Sequence, residues 1–210
     1  MPRTFVLATH NQHKVAEFEA MLGGLGANGE PRSGFTIVSY DGPEPGEDGK
    51  SFTENALIKA RAAAAHTGLP ALADDSGICV DVMGGAPGIF SARWAGASRS
   101  DDSNVQLLLE QLADVRDSNR GAHFTCHIAI VVPATEHSRA LEAVVSGDWP
   151  GQIAREVRGQ NGFGYDPIFI PQGNTVSAAE LPAAKKNALS HRSRALKALA
   201  DLLESGKLGI

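Results

Sequence analysis

Along the 210 residues, apolar runs of strand length alternate with stretches of helical period. TFVLA (Thr4 to Ala8) is continuously apolar and predicts a buried strand. Val15, Phe18 and Leu22 then fall on one face of a helix. FTIVSY (Phe35 to Tyr40) predicts a second strand. In SFTENALIKARAAAAHTG, Ser51 and Glu54 have capping-box spacing and Gly68 is a stop, so a helix is expected over 52–67. Leu69 to Asp74 and Gly77 to Met83 read as strands on either side of a polar turn. Ser100 caps a predicted helix over 101–112. The runs Ala122 to Val132 and Leu141 to Val145 follow each other with no helix between, which suggests antiparallel pairing. A closing helix over 191–204 carries Ala195, Leu196, Leu199, Leu202 and Leu203 on its apolar face. No Gly/Ser linker or repeat divides the chain, so one mixed α/β domain is expected over 1–210.

Composition narrows the partners. Hydrophobic residues make up 42% and charged residues 20%, ordinary values for a globular protein. A net charge of -5 argues against a broad footprint for nucleic acid or an anionic membrane, so any polyanion must meet a local basic pocket. The two cysteines, Cys79 and Cys126, lie in apolar runs and read as free buried thiols in a reducing compartment. MPRTFVLATHNQHK lacks the long apolar stretch of a signal peptide. No apolar run approaches the roughly 18 residues of a membrane span. The expected address is the cytoplasm.

Several loops could carry chemistry. GLGANG (Gly24 to Gly29) matches a dinucleotide fingerprint literally, but it follows a helix instead of a strand and is discarded as a loose turn. ATHNQHK (Ala8 to Lys14) joins the first strand to the first helix, where free N–H groups and the helix dipole favour an anion. Thr9, Asn11 and Lys14 suit a phosphate there; ordinary capping by Asn11 with a solvated Lys14 is the alternative. YDGPEPGEDGK (Tyr40 to Lys50) is an acidic turn from which Glu47 or Asp48 could reach a metal held by Asp75. GQNGFGYDPIF (Gly159 to Phe169) sets Phe163 and Tyr165 among glycines dense enough for close ligand approach. KKNALSHRSRAL gathers Lys185, Lys186, His191, Arg192 and Arg194 about a helix start. Positive charge there opposes the helix dipole, and a nearby anion would explain it. His123 and His127 read as strand residues, not metal ligands.

Five stretches, ATHNQHKVAEF, FTENALIKA, ADDSGICVDVMGGAPGIFSARWAG, GFGYDPIF and KKNALSHR, occur in the order found in one family. The chain resembles, over nearly its whole length, the inosine triphosphate pyrophosphatase family and its bacterial branch acting on dITP and XTP. That resemblance implies a long central mixed β-sheet, flanking helices and two lobes around an active-site cleft. It also implies a homodimer and Mg²⁺-dependent hydrolysis of non-standard purine nucleoside triphosphates to a nucleoside monophosphate and pyrophosphate. The phosphate loop falls on Thr9, His10, Asn11, Gln12, His13 and Lys14. The catalytic aspartate falls on Asp75, which helps to hold Mg²⁺ with Glu47, and Lys14 joins them in the catalytic set. Lys59 matches a lysine near the triphosphate, and Ser76 a substrate loop. The base-binding segment falls on Phe163, Gly164, Tyr165 and Asp166, with Lys186 as a substrate contact and His191 with Arg192 reading the base. Ser177, where threonine is common, and PAAKK, which replaces an acidic stretch, depart from the family pattern without touching these residues.

The pair Asp74-Asp75 then makes sense as two separate carboxylates. Alternation along a strand sends them to opposite faces. Asp75 is expected to face metal and water at a strand tip, and Asp74 to fix the turn or tune its neighbour. Two rival readings are a nucleotide-binding regulator without turnover and a hydrolase of the standard pyrimidine triphosphates.

Overall fold

The computed structural model describes residues 3–9, 15, 18, 35–97, 100–136 and 139–206. Its strands are β1 (Arg3–Leu7), β2 (Phe35–Ser39), β3 (Ala71–Val80), β4 (Gly121–Val132), β5 (Leu141–Ile153) and β6 (Phe169–Pro171). Its longer helices are α1 (Phe52–Thr67), α2 (Asp101–Gln111), α3 (Ala183–Leu189) and α4 (His191–Glu204). The strands form a six-stranded sheet in the order β2-β1-β3-β4-β5-β6. β1 pairs in parallel with both β2 and β3, whereas β5 and β6 are antiparallel, so the sheet is mixed as expected. Val15 and Phe18 are helical and buried. Leu22 and the discarded Gly24 to Gly29 stretch lie outside the described residues.

Helix α1 shows the predicted limits and their cause. Ser51 Oγ accepts from the N–H of Glu54, and Gly68 closes the helix in the left-handed region at φ 70°. The return half of the box is displaced by one residue: Glu54 Oε2 accepts from Lys50 N at 2.7 Å instead of from the cap residue. Helix α2 begins at Ser100 in the same way, its hydroxyl accepting from Ser103 N. Helix α4 buries Ala195, Leu196, Leu199 and Leu203, while Leu202 stays half-buried.

Three features differ from the sequence expectation. No turn separates two strands at Asp74-Asp75-Ser76: β3 is one ten-residue strand that passes straight through them. Asp74 therefore has no turn to fix, and neither aspartate stands at a strand tip. The carboxylates are tolerated because alternation gives each its own environment. Strand β5 continues past Val145 to Ile153, through Ser146-Gly147 and Pro150-Gly151, which look like turn signals. Gly151 is needed there because a Cβ would collide with the Ile170 carbonyl oxygen and the Phe169 ring of β6. Between Phe169 and Pro171 the chain forms that short edge strand, paired Gly151↔Pro171 and Ile153↔Phe169.

The chain forms two compact units. One comprises Met1–Asp75, His127–Ser146 and Ala195–Ile210. Its core is rich in alanine: Ala56, Ala60, Ala63 and Ala64 of α1 meet Ala71 and Ala73 of β3 and Ala129 of β4. Such small side chains let helix and strand backbones approach closely, and added methylenes there would cost about 1–3 kcal/mol. The other comprises Ser76–Cys126 and Gly147–Arg194. Its core is aromatic: Phe124 meets Phe169 edge-on at 4.7 Å, and Trp149 meets Phe169 at 5.3 Å. Arg120, 2% exposed, donates to the carbonyls of Leu112, Ile153 and Ala154, tying the end of α2 to the end of β5.

Candidate active site

In the first unit, β3 and α1 bring three side chains to one carboxylate. Ala71, Ala73 and Asp75 share a strand face, and the two alanines pack against α1. Asn55 and Lys59, four residues apart, lie on one face of that helix. Lys59 Nζ donates to Asp75 Oδ1 at 3.1 Å and to Glu47 Oε1 at 2.8 Å. Asn55 Nδ2 donates to Asp75 Oδ2 at 3.2 Å, while its Oδ1 accepts from Gly49 N at 2.9 Å. Asn55 is fully buried. Its amide thus joins the acidic loop to Asp75, and the Gly49 N–H fixes which end of the amide faces the carboxylate. Glu47 is the acidic loop residue that meets Lys59.

The electrostatics of this cluster are divided. Burial pushes the Asp75 carboxyl above its ordinary range; Lys59 pulls it down and Glu47 pushes it up. For Lys59, burial acts to lower the ammonium's pKa, but attraction to Asp75 and the Glu47 hydrogen bond together leave it raised. The lysine is therefore a fixed cation between two carboxylates, one of which holds its proton more readily than a free aspartate. Asp74 is 3% exposed and belongs to the opposite strand face, as does half-buried Ser76.

Of the predicted phosphate loop, Thr9 is half-buried just past the end of β1, its N–H donating to Leu7 O at 2.8 Å. His10, Asn11, Gln12, His13 and Lys14 lie outside the described residues.

In the second unit, the loop from Gly159 to Phe169 separates its two aromatics. Tyr165 is 5% exposed, and its hydroxyl donates to Ser91 O at 2.8 Å. Burial, with a smaller effect from Asp101, raises its phenol pKa. Tyr165 therefore anchors the loop with its hydroxyl already committed. Phe163 is 62% exposed. Lys186 Nζ sits 4.8 Å from its ring centre and Arg192 Cζ 6.0 Å, so two cations lie against the ring. Asp166, buried, accepts at Oδ2 from Phe163 N at 2.9 Å and from Lys186 Nζ at 2.5 Å. Gly162 has φ 80°, and a Cβ there would run into the Asp166 carboxylate. His191 stacks on Phe124 at 4.9 Å and 11°. The stretch from Ser91 to Trp94 has a structural part: Ser91 Oγ accepts from Ile78 N and donates to Gly88 O, pinning that segment to β3.

Asn55 and Asp101 were not among the sequence candidates. Asn55 could have been found from its spacing to Lys59 on a capped helix. Asp101, whose carboxylate accepts from Gly164 N at 2.7 Å, left no sequence signal beyond a favourable first-turn charge. His127 is a strand residue whose Nδ1 lies 2.9 Å from Thr53 Oγ1, and His123 Nδ1 lies 3.9 Å from Asp81 Oδ1. Among the described residues, no group of three or more His, Cys, Asp or Glu side chains is arranged to hold a metal.

Residues 5–202 match the Ham1 family, and the chain belongs to it. A protein of Leifsonia xyli named dITP/XTP pyrophosphatase is 58% identical over 200 residues, covering 95% of each chain. A HAM1 protein from Coxiella burnetii superimposes with a TM-score of 0.84 at 42% identity, over 97% of this chain and 99% of that one. A Mycobacterium abscessus structure described as a nucleoside-triphosphatase / dITP/XTP pyrophosphatase reaches a TM-score of 0.76 at 46% identity, over 93% and 98%.

Proposed function

We propose that this chain is a nucleoside triphosphate pyrophosphohydrolase acting on dITP or ITP and XTP. Its products are the nucleoside monophosphate and pyrophosphate, and its activity depends on Mg²⁺. The names carried by relatives covering nearly the whole chain support the reaction class. The observation that carries the residue roles is the convergence of Asp75 and Glu47 on one ammonium. Two carboxylates that already share a cation suit Mg²⁺, which takes few carboxylates and completes its shell with water and phosphate oxygens. Asp75 and Glu47 are the residues to hold it, and bound there it would offset phosphate charge.

Asp75 accepts the proton of the attacking water. Its raised pKa brings it nearer the working pH of a general base than a solvated aspartate. Asn55 aims the carboxylate, and Lys59 restrains its charge and stands ready for a phosphate oxygen. Lys14, in the first loop, is proposed to take a further phosphate oxygen. Phe163 stacks on the base, and Lys186, His191 and Arg192 read its edge. Hypoxanthine and xanthine carry a carbonyl at position 6, which suits the pure donors of Arg192 and Lys186; adenine offers an amino group there. An unpaired buried donor costs about 1–3 kcal/mol, which is the basis for rejecting ATP. The protein is further proposed to work as a cytoplasmic homodimer, without nucleic-acid or membrane partners. Among the described residues, no helix is long and apolar enough to cross a membrane.

Pyrophosphate release from ITP, XTP, GTP, ATP and dTTP, with and without Mg²⁺, tests the reading. Release from ITP and XTP that requires Mg²⁺ supports it. Binding without turnover would make the chain a nucleotide sensor, and preference for dTTP would make it a pyrimidine hydrolase.

A further inference from the structure

Two successive backbone N–H groups of the aromatic loop are held by carboxylates, one from within the loop and one from a distant part of the sequence. Phe163 N donates to Asp166 Oδ2 at 2.9 Å within the loop itself. Gly164 N donates at 2.7 Å to Asp101 Oδ2, 63 residues away in the first turn of α2. The Phe163 ring is 62% exposed, so core packing does not fix it, and the glycines at 162 and 164 give its backbone unusual freedom at φ 80° and 58°. An exposed ring on such a backbone must be ordered when it stacks on a ligand, and that ordering weakens binding unless it is already in place. Asp166 is buried and also engaged by Lys186, so it belongs to the packed interior of the loop. Asp101 is exposed and reaches the loop from outside, from a helix anchored independently by its Ser100 cap.

We infer that Asp101 is a positioning residue that pre-orders the Phe163 ring for stacking; the inference rests on the reading of Phe163 as the base platform. Asp102 supplies the internal control. It shares the first turn of α2 and the same favourable relation to the helix dipole, so its removal has the same effect on the helix. Asp101→Ala should raise KM for ITP about fivefold to tenfold, the scale of one charge-assisted hydrogen bond, with kcat changed by less than about twofold. Asp102→Ala should leave both constants in place. Asp101→Asn should largely restore KM, because its amide oxygen can still accept from Gly164.

Amide hydrogen exchange at Gly164, measured without nucleotide, tests the clamp apart from turnover. Exchange should quicken in Asp101→Ala and not in Asp102→Ala. Unchanged exchange, or equal KM changes in the two alanine variants, overturns the inference alone. Quickened exchange combined with an unchanged KM in Phe163→Ala overturns the platform reading, and the inference with it.

Discussion

The carboxylate cluster around Asp75 and the aromatic loop around Phe163 solve opposite problems. Asp75, Lys59 and Asn55 stand on a regular strand and a regular helix packed through alanines, and their charges are mostly withdrawn from water. Phe163 stands on an irregular, glycine-rich segment and keeps its ring largely in solvent, held by backbone hydrogen bonds and by the nearby Lys186 and Arg192 cations instead of core packing. Charge chemistry needs fixed distances and a low dielectric, which regular elements supply. Recognition of a flat ring needs an open face that a ligand can cover, and a core position cannot offer one. The difference predicts that damage to the first region falls on rate, and damage to the second on affinity.

The largest effect should come from Asp75→Asn. The amide is nearly isosteric but cannot accept a proton from water, so kcat should fall by about 10²–10⁴-fold with the fold intact. Steady-state kinetics beside a circular dichroism melt would check it; near-normal turnover would move the role to another group and dissolve the contrast. Next, Phe163→Ala should weaken ITP, XTP and GTP by similar factors, about 5–30-fold for the loss of one stacked ring. Arg192→Ala should instead narrow the gap between ITP and ATP. Measuring kcat/KM for all four nucleotides on both variants separates affinity from selection.

A smaller effect is expected in the pH profile. With Asp75 as the proposed general base, activity requires it deprotonated, and Lys59 lowers its pKa more than Asn55 does. Lys59→Gln should therefore raise that pKa and move the acid limb of kcat/KM to higher pH, so activity is lost first at the acid end. Glu47→Gln removes a neighbour that raises it, and should move the limb the other way. Shifts of the same sign in both variants would refute this assignment of charges. The gentlest probes are two glycines. A Cβ at Gly49 would press on Asn55 Oδ1, and one at Gly162 on the Asp166 carboxylate. Gly49→Ala should lower kcat and Gly162→Ala should raise KM, each about severalfold, since displacements well under 1 Å are felt in preorganised sites.

The two regions were also unequally legible in the sequence. Helix α1 could be read to the residue, because Ser51, Glu54 and Gly68 are local signals that act through adjacent backbone. The unbroken β3 could not be. Asp-Asp-Ser-Gly carries turn chemistry, and what overrides it is an environment assembled from α1 and Glu47, distant in sequence. The same holds for β5, where Pro150-Gly151 reads as a break until β6 is seen lying against it. Phe163 and Tyr165 look alike in the sequence, and only the Ser91 carbonyl distinguishes the buried anchor from the exposed ring. Family resemblance alone singles out Lys59, whereas Lys186 and Arg192 already stand out as positive charge at a helix start and take only their roles from the resemblance. Asp101 escaped both routes, because its partner is a backbone N–H with no identity in the sequence.

The unit holding Asp75 is stitched from three separated segments, the last of which starts at Ala195. A ribosome delivers the chain from its first residue onward, so β1, β2 and α1 emerge long before the apolar face of α4 that belongs with them. Until Ala195, Leu196, Leu199 and Leu203 are released, that unit has a gap where they will be buried. Nascent chains stalled before α4 should accordingly be more open to protease in Phe52–Thr67 than released ones. A chain ended a few residues before Ala195 should likewise lose the site, although every residue of the Asp75 cluster would be present.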